Sequence, residues 1–165
     1  MRDLADDVEE LYCRCRQQLF TCALSITGSP ARAEDAVHEA FCALLRLRQR
    51  PDDFKAYAFR AVRNAALSEL RRRPIGNSSL SEPIFDQSPS AAQSAEDNEF
   101  RSCVAKLLTE LSADERETVV QHLYGELTFR EIAIVREAPL GTVTSWYRRG
   151  IEKLRNRLQV SDGAV

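Results

Sequence analysis

Apolar residues recur every three or four positions from the start of the chain: Leu4, Val8, Leu11, Cys15, Leu19, Cys22 and Ile26. That interval puts them on one face of a helix. Gly28 is expected to end the helix, and Ser29-Pro30 to open the next as N-cap and first-turn proline. At about 100° per residue, Ala33, Ala36, Val37, Ala40, Phe41, Leu44 and Leu47 share one side of that second helix. Glu34, Asp35, His38, Glu39, Cys42 and Arg46 share the other. A third helix is expected from about Asp53 to Arg73, burying Phe54, Tyr57, Ala58, Ala61, Val62 and Ala65. Its opposite side carries a stripe of Arg60, Asn64, Leu67 and Arg71, with Arg63 beside it.

At residues 74–98 the periodicity stops. PIGNSSLSEPIFDQSPSAAQSAEDN is rich in Ser, Pro and Ala and poor in large apolar residues, the composition of a flexible linker. Periodicity then resumes with Phe100, Val104, Leu107, Leu108 and Leu111. Ser112 with Glu115, and Thr128 with Glu131, have the spacing of capping boxes. Helices are expected at about 99–110, 113–124, 129–137 and 140–158. No strand pattern of useful length interrupts them. The fold class is therefore all-α, with two small helical domains, 1–73 and 99–160, expected to behave independently about the 74–98 linker.

The 165 residues are 44% hydrophobic, ordinary for a folded chain. No apolar run is long enough for a membrane span, and the acidic amino end lacks a signal-like core, so a cytoplasmic protein without membrane insertion is expected. Five unevenly spaced cysteines do not suggest a disulfide framework. Cys13 and Cys15 point to different sides of a helix, so no metal site is expected. His38 and His122 lie in different domains, and no phosphate loop, nucleophile elbow or paired-carboxylate setting is visible. Neither catalysis nor a cofactor is expected. The net charge of −2 conceals a segregation. Arg60, Arg63, Arg71, Arg72 and Arg73 form one basic cluster; Arg148, Arg149, Lys153, Arg155 and Arg157 form another. Local field, rather than total charge, attracts phosphate.

The second cluster follows LTFREIAIVREAPLGTVTSWYRRGIEKL, in which a short and a long helix are separated by a break at Pro139. This is helix-turn-helix spacing. Val143, Trp146 or Tyr147, Ile151 and Leu154 supply the inward stripe. Thr142, Thr144, Ser145, Arg148 and Arg149 remain where base edges and phosphates of a major groove would lie.

With its Glu-Ile-Ala and Pro-x-Gly-Thr-Val elements, the segment LSADERETVVQHLYGELTFREIAIVREAPLGTVTSWYRRGIEKLRNRL resembles region 4 of the bacterial sigma factors. LYCRCRQQLFTCALSITGSPARAEDAVHEAFCALL and FKAYAFRAVRNAALSELRRR resemble region 2 of the extracytoplasmic-function (ECF) subgroup. The resemblance implies a non-enzymatic subunit that joins core RNA polymerase and directs it to promoters. It implies that Asp35, His38, Glu39, Cys42 and Arg46 meet the clamp helices of the β′ subunit. It assigns Arg60, Arg63, Asn64 and Arg71 to the −10 element and its unpaired strand. The turn at 49–53 and Phe59 are candidates for holding a base, while Tyr57, where the family usually has Trp, is expected in the core. Thr142, Thr144, Ser145, Arg148 and Arg149 fall to the duplex −35 element, with the β flap as a further contact and an anti-sigma factor as a further partner. Two departures stand out. Arg136-Glu137 replaces the usual Leu-Gly, so Glu137 is expected to be strained by ~1 kcal/mol. Gly150 is expected to weaken the last helix by roughly 1 kcal/mol relative to Ala. The alternative is a helix-turn-helix regulator that never joins polymerase.

Overall fold

A computed structural model describes residues 3–73 and 105–163 of the chain. The expected linker at 74–98 and the expected helical residues 99–104 lie outside them. Three helices form the first bundle: α1 Leu4–Thr27, α2 Pro30–Leu44 and α3 Phe54–Arg72. Residues 105–109 are helical and lead into α4 Ala113–Leu123, α5 Phe129–Arg136 and α6 Leu140–Asp162. Among the described residues there is no strand, and no helix is long and apolar enough to cross a membrane.

The helix ends follow local chemistry. Gly28 takes the left-handed conformation at φ 65°, and its amide donates to Leu24 O at 2.8 Å, a glycine-terminated helix end. Ser29 stands at the N-cap of α2 without a side-chain cap, and Pro30 opens the helix as expected. Asp53 caps α3 by accepting the Ala56 amide at 3.0 Å. Both capping boxes form, Ser112 with Glu115 and Thr128 with Glu131.

In the first bundle Leu19, Leu24, Leu44, Phe59 and Val62 are fully or almost fully buried. Small residues between them, among them Ala33, Ala36, Ala58 and Ala66, let the helices approach closely. Two aromatic expectations are reversed: Phe59 is 2% exposed, whereas Tyr57 is 36% exposed. Two positions apart on a helix is about 200° of rotation, so the pair faces opposite ways. Phe59 shares its side with Val62 and Ala66; Tyr57 shares its side with Arg60 and Asn64.

The last turns of α1 are buried all round, from Thr21 to Thr27. A single apolar stripe cannot produce that. The second bundle covers the remaining side: α4 packs on α1 and α5 packs on α3. The two bundles are thus in direct contact. Arg116 Nε donates to Ser25 O at 3.2 Å, and Lys55 Nζ donates to Glu126 O at 3.2 Å.

Within the second bundle Val119, Val120, Leu127, Ile132, Val135 and Val143 form the buried centre. Gly150 belongs to this packing rather than to a weakness in α6. A Cβ placed there would lie 2.8 Å from Val119 Cγ2, so the missing side chain lets α6 close on α4.

Candidate nucleic-acid interface

The exposed side of α3 faces a shallow groove of about 290 Å³ bounded by α2. Tyr57, Arg60, Asn64 and Ser68 lie along it, opposite Glu39 of α2. Arg71 is exposed at the far end and donates to Ser68 Oγ at 3.3 Å. Asn64 offers both a donor and an acceptor, Tyr57 a ring edge or face, and Arg60 a cation. Arg63 is turned out of the groove, toward the second bundle. Its Nε lies 2.6 Å from Glu117 Oε2, and both side chains are mostly buried. Arg60 is also held across that boundary, 2.5 Å from Glu137 Oε1. The 49–53 turn is fastened to α1 by Arg50, which pairs with Asp7 at 3.2 Å and stacks its guanidinium on Phe54.

On α2, Asp35, His38 and Glu39 are exposed and Cys42 is half-buried. Arg46 is exposed just beyond the helix end at Leu44. His38 Nε2 lies 3.7 Å from Cys42 Sγ, and Glu39 pairs with Arg72 at 3.3 Å. Tyr12 and Arg16 of α1 join this face, lining a cavity of about 460 Å³ beside Asp35 and His38. Both fall outside the expected apolar stripe of α1, Tyr12 at its edge, and the packing of α1 on α2 brings them here. Tyr12 sits edge-on to Phe41, with the Arg16 guanidinium over its ring.

In the helix-turn-helix, Glu137 adopts the left-handed conformation at φ 51°, the strained geometry expected of it. Its neighbour Arg136 explains part of the departure from Leu-Gly. The Arg136 side chain is only 3% exposed. It bonds Asp114, donates to Thr118 Oγ1 at 3.3 Å and stacks over Trp146 at 4.6 Å. Arg136 thus pins α5 to both α4 and α6, combining charge-assisted bonds with a cation–π contact. His122, stacked on Phe129 and edge-on to Tyr147, braces the other side.

These pins aim the start of α6 outward. Thr142, Thr144 and Ser145 are half-buried in its first turns, and Arg148 and Arg149 are exposed. Thr144 Oγ1 donates to Gly141 O at 3.0 Å, leaving its lone pairs to accept. Arg149 lies 3.8 Å from Glu115, to which Lys153 donates at 2.8 and 3.0 Å. Burial pushes the Glu115 carboxyl pKa up, but bonds from Lys153 and Ser112 outweigh it and hold the carboxyl below its usual value. Arg148 is thus the more available cation, and Arg149 is shared with the scaffold.

A helix-turn-helix with a basic second helix, set beside a bundle with a polar groove, defines a DNA-reading protein of all-α class. Residues 11–74 match the family Sigma-70 region 2, and residues 101–154 match Sigma-70, region 4. The ECF RNA polymerase sigma factor SigL of Mycobacterium tuberculosis is 30% identical over 90% of this chain and 87% of its own. RNA polymerase sigma factor CarQ of Myxococcus xanthus is 29% identical over 95% and 92%. The structure of the sigma factor RpoE bound to the anti-sigma factor NepR, from Bartonella quintana, is 25% identical, with a TM-score of 0.69 over 93% of this chain and 98% of that one. CnrH, solved with the cytosolic domain of CnrY, shares the fold at 22% identity and a TM-score of 0.66, over 93% of this chain and 88% of that one. The chain belongs to the ECF sigma factors of RNA polymerase.

Proposed function

We propose that residues 1–73 bind core polymerase and the −10 element, that 99–160 bind the −35 duplex, and that 74–98 join them. The observation that carries this reading is the presence of two polar faces on one bundle, which meet at Glu39. The α2 face, with Asp35, His38, Glu39, Cys42 and Arg46, takes the β′ clamp helices. The α3 groove, with Arg60, Asn64 and Arg71, takes the opened non-template strand, and Arg63 joins them when it leaves Glu117. Asn can read adenine bidentately, Arg grips phosphate, and Tyr57 supplies the stacking ring that was expected of Phe59. Thr142, Thr144, Ser145, Arg148 and Arg149 read the duplex from the start of α6. The work is recognition, without catalysis of its own, and takes place in the cytoplasm where polymerase is found. An anti-sigma factor is a further partner, supported by the similar sigma factor RpoE, solved with the anti-sigma factor NepR.

A pair of substitutions separates the two faces. Asp35→Ala with Glu39→Ala is expected to weaken association with core polymerase by about tenfold, roughly 1.4 kcal/mol. Co-elution with core enzyme measures it. Wild-type affinity in that variant would remove the α2 face from polymerase binding.

A further inference from the structure

We propose that His38 and Cys42 form a two-point site for a thiophilic cation of the zinc class, and that the bound ion closes the α2 face to polymerase. The second half rests on the reading of α2 as the docking face; the first does not. The two residues are one turn apart on α2, so their side chains share a face. His38 Nε2 lies 3.7 Å from Cys42 Sγ. In a tetrahedral zinc centre, Zn–S of about 2.3 Å and Zn–N of about 2.0–2.1 Å set the two ligand atoms about 3.5–3.6 Å apart. The pair therefore already stands at almost the span that one ion would bridge. Left to each other the two gain little, because a thiol is a weak donor and a weak acceptor. Cys13 and Cys15, two positions apart on α1, face different ways and cannot do the same.

The donor set selects the ion. One imidazole nitrogen and one thiolate suit zinc or another borderline-to-soft cation, whereas magnesium and calcium want oxygen. Binding releases the thiol proton to solvent, and His38 binds as the neutral ring. His38 is exposed and Cys42 half-buried, so an ion reaches both from solvent. Among the described residues no third His, Cys, Asp or Glu completes the set, so water fills the remaining positions. Glu34 and Asp35 line the cavity beside His38 and draw a cation toward it without ligating. Arg16 lines the same cavity and opposes them in part, with its guanidinium held over the Tyr12 ring. Glu39 is paired with Arg72. A bound dication takes His38 and Cys42 out of the docking face and offsets the negative charge of Asp35 there.

The test uses the full, reduced chain. Cobalt(II), which takes tetrahedral zinc sites and absorbs in the near ultraviolet when bound by thiolate, is titrated in; zinc, but not magnesium, should displace it. Wild type and Cys13→Ser should both give the thiolate band, and Cys42→Ser should lose it. Removing an outer-shell partner alone costs about 10–100-fold in metal affinity, so His38→Ala, which removes a ligand, should weaken binding by at least about tenfold. No band in wild type, an intact band in Cys42→Ser, or wild-type affinity in His38→Ala overturns the site. Co-elution with core polymerase is then compared with and without zinc. Zinc should reduce it several-fold for wild type and Cys13→Ser, and should leave it unchanged for Cys42→Ser, whatever that variant's own affinity. The same response to zinc in all three, with the cobalt band present, overturns the blockade of α2 but not the ion site. Wild type that never co-elutes counts against the docking reading instead, and the cobalt titration still decides the site.

Discussion

The two candidate DNA surfaces, α3 and the start of α6, carry similar chemistry in opposite conditions. Both combine arginines with short polar side chains. On α3, Arg60 and Arg63 are committed to Glu137 and Glu117 of the other bundle. On α6, Arg148 projects from a helix whose own scaffold, through Glu115, holds Arg149 and Lys153. A basic stripe and an available basic stripe are therefore distinct properties. The first is a matter of helical periodicity; the second depends on what packs against it.

The largest effect is expected at α3. Arg60→Ala with Asn64→Ala should reduce promoter opening by about a hundredfold, from losing a cation and a bidentate reader together. Core binding should be unchanged. Permanganate reactivity of promoter thymines in the reconstituted holoenzyme measures opening. Unaltered reactivity would remove the groove from strand capture.

At α6, Arg148→Ala should weaken binding to −35 duplex by about tenfold, read by anisotropy against a scrambled duplex. Equal loss on both sequences would make Arg148 a phosphate contact rather than a base reader. A smaller effect concerns how α6 is seated. Gly150→Ala improves helix propensity but drives a methyl group to 2.8 Å from Val119 Cγ2. Overpacking outweighs propensity, and urea unfolding should show a net loss of about 1 kcal/mol. The smallest concerns Glu115, whose carboxyl is held below its usual value by Lys153 and Ser112 against the opposing effect of burial. Its stabilisation is complete above the unfolded carboxyl value, about 4.3, and fades as pH falls through the lower folded value. Thermal midpoints measured from pH 6 to 3 should fall less steeply for Lys153→Met than for wild type.

Much of this was legible in the chain. The stripes of α1 and α2, the glycine at the end of α1, both capping boxes and the helix-turn-helix break all rest on interactions within about four residues. They depend on little else. Tyr57 and Phe59 were exchanged because an alanine-rich helix leaves the edge of its apolar face poorly marked. Ser29 kept its place at the N-cap but made no side-chain bond there. The role of Gly150 needed the distance to α4, and that of Arg136 needed Asp114, Thr118 and Trp146 brought around it. Contact between the two bundles was not legible at all, since it joins residues such as Arg63 and Glu117 that no local pattern relates.

In the proposed function this protein confers promoter choice on polymerase through two surfaces with divided tasks. Transcription from a genomic promoter library by core RNA polymerase, with and without the protein, tests it most directly by mapping RNA 5′ ends. New transcripts with defined start points are expected, lost in the Arg60→Ala/Asn64→Ala variant although that variant still joins the enzyme. The same scattered 5′ ends with and without the protein would contradict it.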